Sequence, residues 1–224
     1  MSFSVVILSA RPDNLEVSLQ SLLDNEPRLP QERVIVVDDG AGTEEMRRRF
    51  PEVRWISGMS PFIFARNANI GINSAAGDVV LMNDDALLQT PGGLTAMCES
   101  DFPGVLSSTV YGVVCNPNQK TERSDHNSIR PEGRMLAFVC VYLPRRVLNL
   151  VGPLDERFDG YGSEDNDYCL RCSKLGVPMG VFRDCVVDHT GHKVASTFRS
   201  KPQVNILLAS GRKKLVQKWP ELVA

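Results

Sequence analysis

The sequence predicts a single α/β domain in which helices cover a mostly parallel central sheet. Short apolar runs rich in valine and isoleucine alternate with segments that carry apolar residues at helical spacing. Such alternation is typical of sheets whose strands are connected by helices. The length of 224 residues suits one folding unit with a buried core, and the chain contains no internal repeat.

The order of the elements follows from where each pattern starts and stops. The first apolar run, residues 3–8, precedes leucines at positions 15, 19, 22 and 23, a spacing that indicates an amphipathic helix. The same reasoning applies to the rest of the chain. It predicts strands at 34–37, 53–56, 79–82 and 135–143, helices at 43–50, 65–75, 145–150 and 168–175, and a long polar loop at 116–134.

The composition is that of a globular protein, with 42% hydrophobic and 23% charged residues and a formal net charge of −2. This charge gives no general attraction for nucleic acid. No apolar run approaches the ~20 residues of a transmembrane segment. The start, MSFSVVILSARPDN, lacks the basic region and cleavage site of a signal peptide. We therefore expect a cytoplasmic protein, with peripheral contact to a membrane left open.

The six cysteines are predicted to be reduced, because no secretory signal accompanies them. A structural zinc site is the alternative, since Cys169 and Cys172 are followed by Cys185 and His189. However, the first two lie in a helical pattern that ends at Gly176, whereas paired zinc ligands usually lie on a tight turn. We favour reduced cysteines.

Two predicted strands end in acidic residues at the same edge of the sheet. Asp38 and Asp39 follow one strand, and Asn83, Asp84 and Asp85 follow another. Such residues also suit turns, but ligands of parallel sheets bind beyond the carboxyl ends of the strands. In an extended segment, Asn83 and Asp85 would share one side while Asp84 faces elsewhere. Their oxygen atoms suit Mg²⁺ or Mn²⁺.

A second acidic centre follows a glycine loop in the sequence GYGSEDND, residues 160–167. Ser163 is a good helix cap, and acids in a first turn stabilise a helix by roughly 0.3–1 kcal/mol each. Capping does not account for so many acidic and amide residues in succession, a pattern that suits the presentation of an ionised general base. His189 also emerges at a predicted strand end, although a lone histidine is more often structural.

Four segments in order are more specific than any one acidic motif: SVVILSARPDNLEVSLQSLL, VIVVDDG, ARNANIGINSAAGDVVLMNDDA and FVCVYLPRRVLNLVGPLDERFDGYGSEDNDYCLRCSKLG. Together they resemble the inverting family-two glycosyltransferases of the GT-A fold, particularly the rhamnosyl- and galactofuranosyltransferase-like branch. The segments are similar to the family's opening strand and helix, its nucleoside-binding acidic turn, its DxD-type motif and its ED motif. The resemblance covers nearly the whole chain.

The resemblance implies a metal-dependent transfer of a sugar from a nucleoside-diphosphate sugar to a hydroxyl acceptor, with Mn²⁺ or Mg²⁺ as the cofactor. It implies a nucleotide-sugar-binding half at residues 1–115, a polar loop at 116–134 and an acceptor and catalytic half at 135–224. By position, Asp165 matches the catalytic base, with Glu164 beside it. Asn83, Asp85 and His189 match metal positions, although many members carry Asp where Asn83 stands. The positions matched to the donor site are Ser9, Arg11, Asp38, Asp39, Arg66, Asn67 and Asp84.

Two other functions remain open. A nucleotidyltransferase acting on sugar phosphates would normally carry a glycine-rich loop after the first strand, but LSARPDNL contains no glycine. A non-catalytic sugar-nucleotide-binding protein is conceivable because of Asn83.

The acceptor is predicted only as a saccharide, a glycolipid or another hydroxyl-bearing molecule, with a nucleic acid acceptor not favoured. The basic segment 212–214, with Lys218 and Trp219, is interpreted as a solvated helix face. Contact of this segment with a phosphate-bearing acceptor, a nucleic acid or a membrane is the alternative. Homo-oligomerisation, the donor base and the donor sugar are left open.

Overall fold

The described part of the chain forms one continuous nine-stranded sheet in this computed structural model. The structure describes residues 3–121, 128–133, 135–160, 162–191 and 201–223. The strands are β1 (Phe3–Ser9), β2 (Val34–Asp38), β3 (Arg54–Ser57), β4 (Asp78–Asn83), β5 (Leu87–Leu88), β6 (Val105–Gly112), β7 (Ile129–Glu132), β8 (Cys140–Leu143) and β9 (Met179–His189). The α-helices are α1 (Pro12–Asn25), α2 (Glu44–Arg49), α3 (Phe64–Ser74), α4 (Gly93–Cys98), α5 (Arg145–Val151), α6 (Glu164–Lys174) and α7 (Lys201–Lys218).

The strand order is β3-β2-β1-β4-β8-β6-β9-β5, and β7 also pairs with β9. Strands β3, β2, β1 and β4 are parallel to one another, as are β6 and β9. Strand β8 runs antiparallel to both β4 and β6 and so joins the two parallel groups. Parallel pairing holds most of the paired residues. The predicted α/β fold with a mostly parallel sheet is confirmed.

The core lies on both faces of the sheet because successive side chains of a strand point to opposite sides. Val5 and Ile7 of β1 belong to a first apolar cluster together with the buried leucines of α1. Val6 and Leu8 belong to a second cluster with apolar residues of α3, α5 and α6. The sheet therefore lies between two helical layers, and its strand ends remain accessible at the edge.

Helix α3 packs unusually close to the sheet at Gly71. A Cβ atom at this position would collide with the side chain of Val6 and lie 3.0 Å from Cγ2 of Val37. Glycine inside a helix costs roughly 0.5–1 kcal/mol relative to alanine. The close packing accounts for its presence in the NIGIN sequence.

Three sequence predictions need correction. The predicted strand 135–143 begins only at Cys140, because residues 138 and 139 form a turn and the buried residues before them have no strand conformation. The predicted loop 116–134 contains β7, which pairs with β9 and carries Pro131. Proline weakens a strand signal but is tolerated at sheet edges. The helix predicted at 168–175 begins at Glu164, so the acidic residues form its first turn.

No helix in the described ranges combines the length and the apolar character that crossing a membrane requires.

Candidate active site

A cleft of about 570 Å³ opens at the carboxyl ends of β1, β4, β6 and β9. Binding sites of open α/β sheets are commonly located at this edge. The cleft joins an acidic end to a largely apolar wall. Its polar and ionisable lining residues are Arg11, Asn83, Asp84, Asp85, Cys115, Ser163, Glu164, Asp165, Asn166 and His189.

The Asn83-Asp84-Asp85 segment forms a turn rather than an extended strand. Strand β4 ends at Asn83, and the Ala86 N–H donates to the Asn83 carbonyl oxygen at 3.2 Å. The extended geometry predicted for this segment is therefore wrong, and side-chain alternation does not continue through a turn. All three residues line the cleft.

Asp84 is held by the end of β1. The Ser9 hydroxyl donates to Asp84 Oδ2 at 2.5 Å and accepts from the Arg11 N–H at 3.0 Å. Burial raises the pKa of Asp84 to about 7, while the Ser9 hydrogen bond acts in the opposite direction. Ser9 itself is buried and does not line the cleft, so it acts on the site through Asp84.

Asp85 and His189 form the closest acid–imidazole contact in the cleft. Asp85 Oδ1 lies 3.1 Å from His189 Nε2, and His189 Nδ1 lies 2.5 Å from the Val113 carbonyl oxygen. Burial lowers the pKa of His189, but the Asp85 carboxylate and the Val113 carbonyl outweigh it and raise this pKa above the ordinary value. The Val113 contact orients the ring so that Nε2 faces Asp85.

The second carboxylate oxygen of Asp85 makes this pair suitable for a cation. Asp85 is only 3% exposed, and its Oδ2 atom is buried without a hydrogen-bond partner among the described residues. A buried charged oxygen without a partner is costly, and a cation at Oδ2 and the imidazole would satisfy it. Within the described ranges, no group of three or more His, Cys, Asp or Glu residues could hold a metal alone. The donor set therefore fits a cation that is completed by substrate oxygens.

Asp165 and Glu164 reach the cleft from the first turn of α6. Both residues are half-buried, and the resulting desolvation raises the pKa values of both carboxyl groups; the charge of Asp165 raises the pKa of Glu164 further. The backbone N–H of Asn166 donates to Asp165 Oδ1 at 2.8 Å and lowers the pKa of Asp165 in part. One carboxylate oxygen of Asp165 is thus fixed by the backbone, while the pKa of the group stays raised.

The residues before α6 adopt an uncommon backbone conformation. Gly162 and Ser163 both have φ of +79°, and the Ser163 side chain makes no capping hydrogen bond to the helix. A non-glycine residue in this region costs on the order of 1–3 kcal/mol and persists where its surroundings impose it. Ser163 therefore does not act as the side-chain cap that its residue type suggests. The helix that carries Glu164 and Asp165 begins directly after this residue.

Asp38 and Asp39 lie at the end of β2, outside the lining of the cleft. Asp38 accepts hydrogen bonds from the N–H groups of Gly40 and Gly42 at 2.9 and 2.8 Å, and pairs with Arg47 at 2.6 Å. It therefore organises its own turn. Burial and then the charge of Asp38 raise the pKa of Asp39.

Arg66 and Asn67 also lie outside the lining of the cleft. Arg66 approaches Glu156 at 3.9 Å. Asn67 is fully buried and accepts a hydrogen bond from the Met59 N–H at 2.9 Å, which ties the loop after β3 to α3. Of the predicted site residues, the structure gathers Arg11, Asn83–Asp85, Glu164, Asp165 and His189 into one cleft and places the others around it.

The apolar wall of the cleft is not among the features predicted from the sequence. Val113, Val114 and Cys115 follow β6, a strand that was not predicted although VLSSTVYG is rich in β-branched residues. Leu208 of α7 contributes from the far end of the chain. No sequence signal links residue 208 to this site.

The cysteines considered for zinc are divided between the two faces of the sheet. Cys169 and Cys172 lie in the second apolar cluster, and Cys185 lies in the first. The Cys169 thiol donates to the Leu136 carbonyl oxygen at 3.7 Å. All six cysteines are free thiols.

Two basic residues of the C-terminal segment face the protein. Lys214 pairs with Asp159, and Lys218 lies 2.6 Å from Asp167 and 2.7 Å from Asp155. Trp219 is buried, and its Nε1–H donates to Asp167 at 2.9 Å. The interpretation of Lys218 and Trp219 as part of a solvated face is therefore wrong, whereas Arg212 and Lys213 are exposed.

The fold, together with the acidic cleft at the strand ends, defines a GT-A-like α/β protein. A comparison with known families identifies the family within this class. The sequence profile described as Glycosyl transferase family 2 matches residues 4–134. The chain belongs to this family. A search of curated proteins finds no match.

Three solved structures show similarity in fold. GalNAc-T7 with UDP, GalNAc and Mn²⁺ has a TM-score of 0.69 and 14% identity, over 99% of this chain and 51% of that one. The mannosyltransferase PcManGT from Pyrobaculum calidifontis, in complex with GDP-Man and Mn²⁺, has a TM-score of 0.65 and 16% identity, over 96% and 63% of the two chains. S. aureus TarS 1-349 with UDP-GlcNAc has a TM-score of 0.59 and 14% identity, over 96% and 67%. The chain spans about half of GalNAc-T7 and less than two thirds of PcManGT.

Proposed function

We propose that this protein transfers a sugar from a nucleoside-diphosphate sugar to a hydroxyl acceptor by a single, inverting displacement that depends on a divalent cation. The observation that carries the proposal is the shared cleft of Asp85, His189 and Asp165, which are far apart in sequence. Family membership and the nucleotide ligands of GalNAc-T7, PcManGT and TarS support the same chemistry.

Asp165 acts as the general base in this proposal. It accepts the proton of the acceptor hydroxyl, whose oxygen forms a bond to the anomeric carbon as the bond to the diphosphate breaks. A catalytic base is most effective when its pKa lies near the working pH, and burial moves the pKa of Asp165 in that direction. Glu164 lies beside Asp165 in the cleft, and burial and the charge of Asp165 raise its pKa above the ordinary value.

Asp85 and His189 hold the cation, with Asn83 beside them in the cleft. The unpartnered Oδ2 atom of Asp85 and the orientation of the His189 ring support this assignment. When bound, Mn²⁺ or Mg²⁺ would neutralise the negative charge that develops on the departing diphosphate. Both GalNAc-T7 and PcManGT were solved with Mn²⁺.

The residues matched to the donor site divide into those that contact the donor directly and those that act through a neighbouring residue or loop. Arg11 and Asp84 line the cleft and are positioned to contact the donor directly. Ser9 orients Asp84, and Asp38 orders the turn that carries Asp39. Arg66 and Asn67 act indirectly in this proposal, since Asn67 ties the loop after β3 to α3. Asp39 contacts the nucleoside.

A donor panel tests the proposed function. Thermal stability should be measured with sugar nucleotides of several bases, including nucleotide-linked rhamnose and galactofuranose, in the presence of Mn²⁺ or of a chelator. A donor should raise the melting temperature by mass action, and more strongly with Mn²⁺. With an acceptor mixture, that donor should release nucleoside diphosphate.

Two outcomes of the panel contradict sugar transfer. Exchange of label between pyrophosphate and the sugar nucleotide would indicate a nucleotidyltransferase. Stabilisation without release of nucleoside diphosphate, with any acceptor class, would indicate a binding protein.

A further inference from the structure

Helix α7 packs against the loop that carries the proposed base into the cleft. A Cβ atom on Gly160 would lie 3.4 Å from Leu207 Cδ2, and one on Gly162 would lie 3.0 Å from Leu208 Cδ2. Two consecutive residues of α7 therefore contact the two glycines that precede Ser163. Both contacts involve residues more than 40 positions downstream of that loop.

The closest approach between α7 and this loop occurs at Gly211. This residue is buried, and a Cβ atom there would lie 2.8 Å from the Gly162 carbonyl oxygen and 3.1 Å from Ser163 Oγ. Alanine is the better residue in a helix interior unless the extra methyl group has no space. Here the methyl group would press on the backbone of Gly162, which cannot move aside as a side-chain end can.

The backbone that receives this contact is itself in an unusual conformation. Gly162 and Ser163 both have positive φ angles, and the helix that carries Glu164 and Asp165 starts immediately afterwards. An unfavourable backbone conformation of this kind persists when the surrounding structure enforces it. Gly211 and Leu208 supply part of that surrounding structure.

A second set of contacts fixes α7 relative to α6. Asp167, in the first turn of α6 and fully buried, accepts the Nε1–H of Trp219 and pairs with Lys218. Lys214 pairs with Asp159 just before the glycine loop. Residues of the C-terminal segment thus contact Asp159, which precedes Asp165 in sequence, and Asp167, which follows it.

We propose that Gly211 is a positioning residue for Asp165. Through the contact at Gly211, α7 sets how far the first turn of α6, which carries Asp165, extends into the cleft. The proposal rests on the function proposed above and adds a role for a helix that lies outside the matched family region, residues 4–134. Gly211 does not touch the substrate. It acts through Gly162 and Ser163.

Gly211→Ala tests this role, with Ser210→Ala on the exposed neighbouring position as the matched control. We expect the alanine at 211 to lower kcat by roughly 10- to 100-fold, since a displacement of about 1 Å at a reacting group can cost on the order of 100-fold. The KM for the donor should not change, because the proposed metal and donor residues all lie outside α6 and α7. Ser210→Ala should have the wild-type kcat.

The pH–rate profile distinguishes positioning from a general loss of stability. Groups that face Asp165 are Glu164 on its own helix, Cys169 one turn later and Cys115 after β6. A displacement that exposes the Asp165 carboxyl group to water would relieve the burial that raises its pKa. The acid limb of kcat in Gly211→Ala should therefore shift to lower pH. To remove the effect of unfolded protein, kcat is calculated per donor-binding site, and the concentration of these sites is measured by calorimetric titration.

Three further outcomes are informative. A kcat for Gly211→Ala equal to that of Ser210→Ala would overturn the positioning role. If Gly211→Ala does not fold, Leu207→Ala replaces it as the test, because this substitution removes the contact with Gly160 without adding volume. An unchanged kcat in Leu207→Ala would also overturn the proposal. Wild-type turnover in Asp165→Asn would instead contradict the proposed base, whatever the effect of Gly211.

Discussion

Asp85 has one carboxylate oxygen next to His189 and one buried oxygen with no partner in the described part of the chain. Such an arrangement is unfavourable for the protein alone, because a buried polar atom without a hydrogen-bond partner costs free energy. It becomes favourable when a cation is present. Both residues should therefore matter more for donor binding in the presence of Mn²⁺ than for folding.

Asp85→Asn and His189→Ala should abolish the dependence of donor affinity on Mn²⁺. Loss of residues that only support metal ligands commonly costs about 10- to 100-fold in metal affinity, so loss of a ligand should cost at least as much. Donor titrations by calorimetry with Mn²⁺ or chelator would measure the effect. Asp184→Asn, at an exposed position of β9, is the control. An Mn²⁺ dependence that persists in both variants would exclude these residues as ligands.

Asp165 makes the proposed reaction sensitive to acid. Burial raises the pKa of Asp165 above the ordinary aspartate value of about 3.9. The reaction needs the deprotonated form, so kcat should be constant at higher pH and fall as the pH decreases through this raised pKa. Rates from weakly acidic to neutral pH would measure it. The residual rate of Asp165→Asn should lack this limb, and an acid limb near the ordinary aspartate value would contradict the assignment.

Helix α7 and Trp219, which follows it, stabilise the first turn of α6 through Asp167. The carboxylate is fully buried and contacts Arg171, Lys218 and Trp219. A buried charge with several donors is stable only while those donors remain. The segment from Lys218 to Trp219 thus connects the chain terminus to the first turn of α6.

Trp219→Phe should destabilise the protein by about 1.5–3 kcal/mol, since it removes a hydrogen bond to a buried charge but keeps an aromatic ring. Trp55→Phe is the matched control, because the Nε1–H of Trp55 donates to the Phe50 carbonyl oxygen at a long 3.4 Å and the ring is only half-buried. Urea unfolding of both variants would give the two free energies. Equal losses of unfolding free energy in the two variants would show that the hydrogen bond to Asp167 adds no extra stability.

Elements with a clear local sequence pattern are predicted well, whereas elements that depend on tertiary contacts are not. Strands β1, β2 and β4 have apolar runs that stop at acidic turns, and the sequence predicts them to within about two residues at either end. Strand β7 contains a proline and only one β-branched residue, so its pairing with β9 follows from tertiary structure alone. The sequence also suggests a capping role for Ser163 that its side chain does not fill, because a positive φ angle at a serine cannot be foreseen from residue type.

At the scale of the whole molecule, the cleft combines residues from both parallel groups of the sheet. Asp84 and Asp85 follow β4, whereas His189 ends β9, and β8 separates the two groups. The rule that parallel strands present ligand-binding residues at their carboxyl ends predicts this edge from sequence. It does not predict that Asp38, Asp39, Arg66 and Asn67 lie outside the cleft lining, since that depends on how the turns after β2 and β3 fold back.

The most direct measurement of the central claim is a comparison of turnover and donor affinity in Asp165→Asn. If Asp165 removes the acceptor proton, its loss should lower kcat by about 10²- to 10⁴-fold, while the dissociation constant of the donor with Mn²⁺ stays at the wild-type value. Substantial turnover in this variant, or a loss of donor binding equal to the loss of kcat, would contradict the assignment of the base.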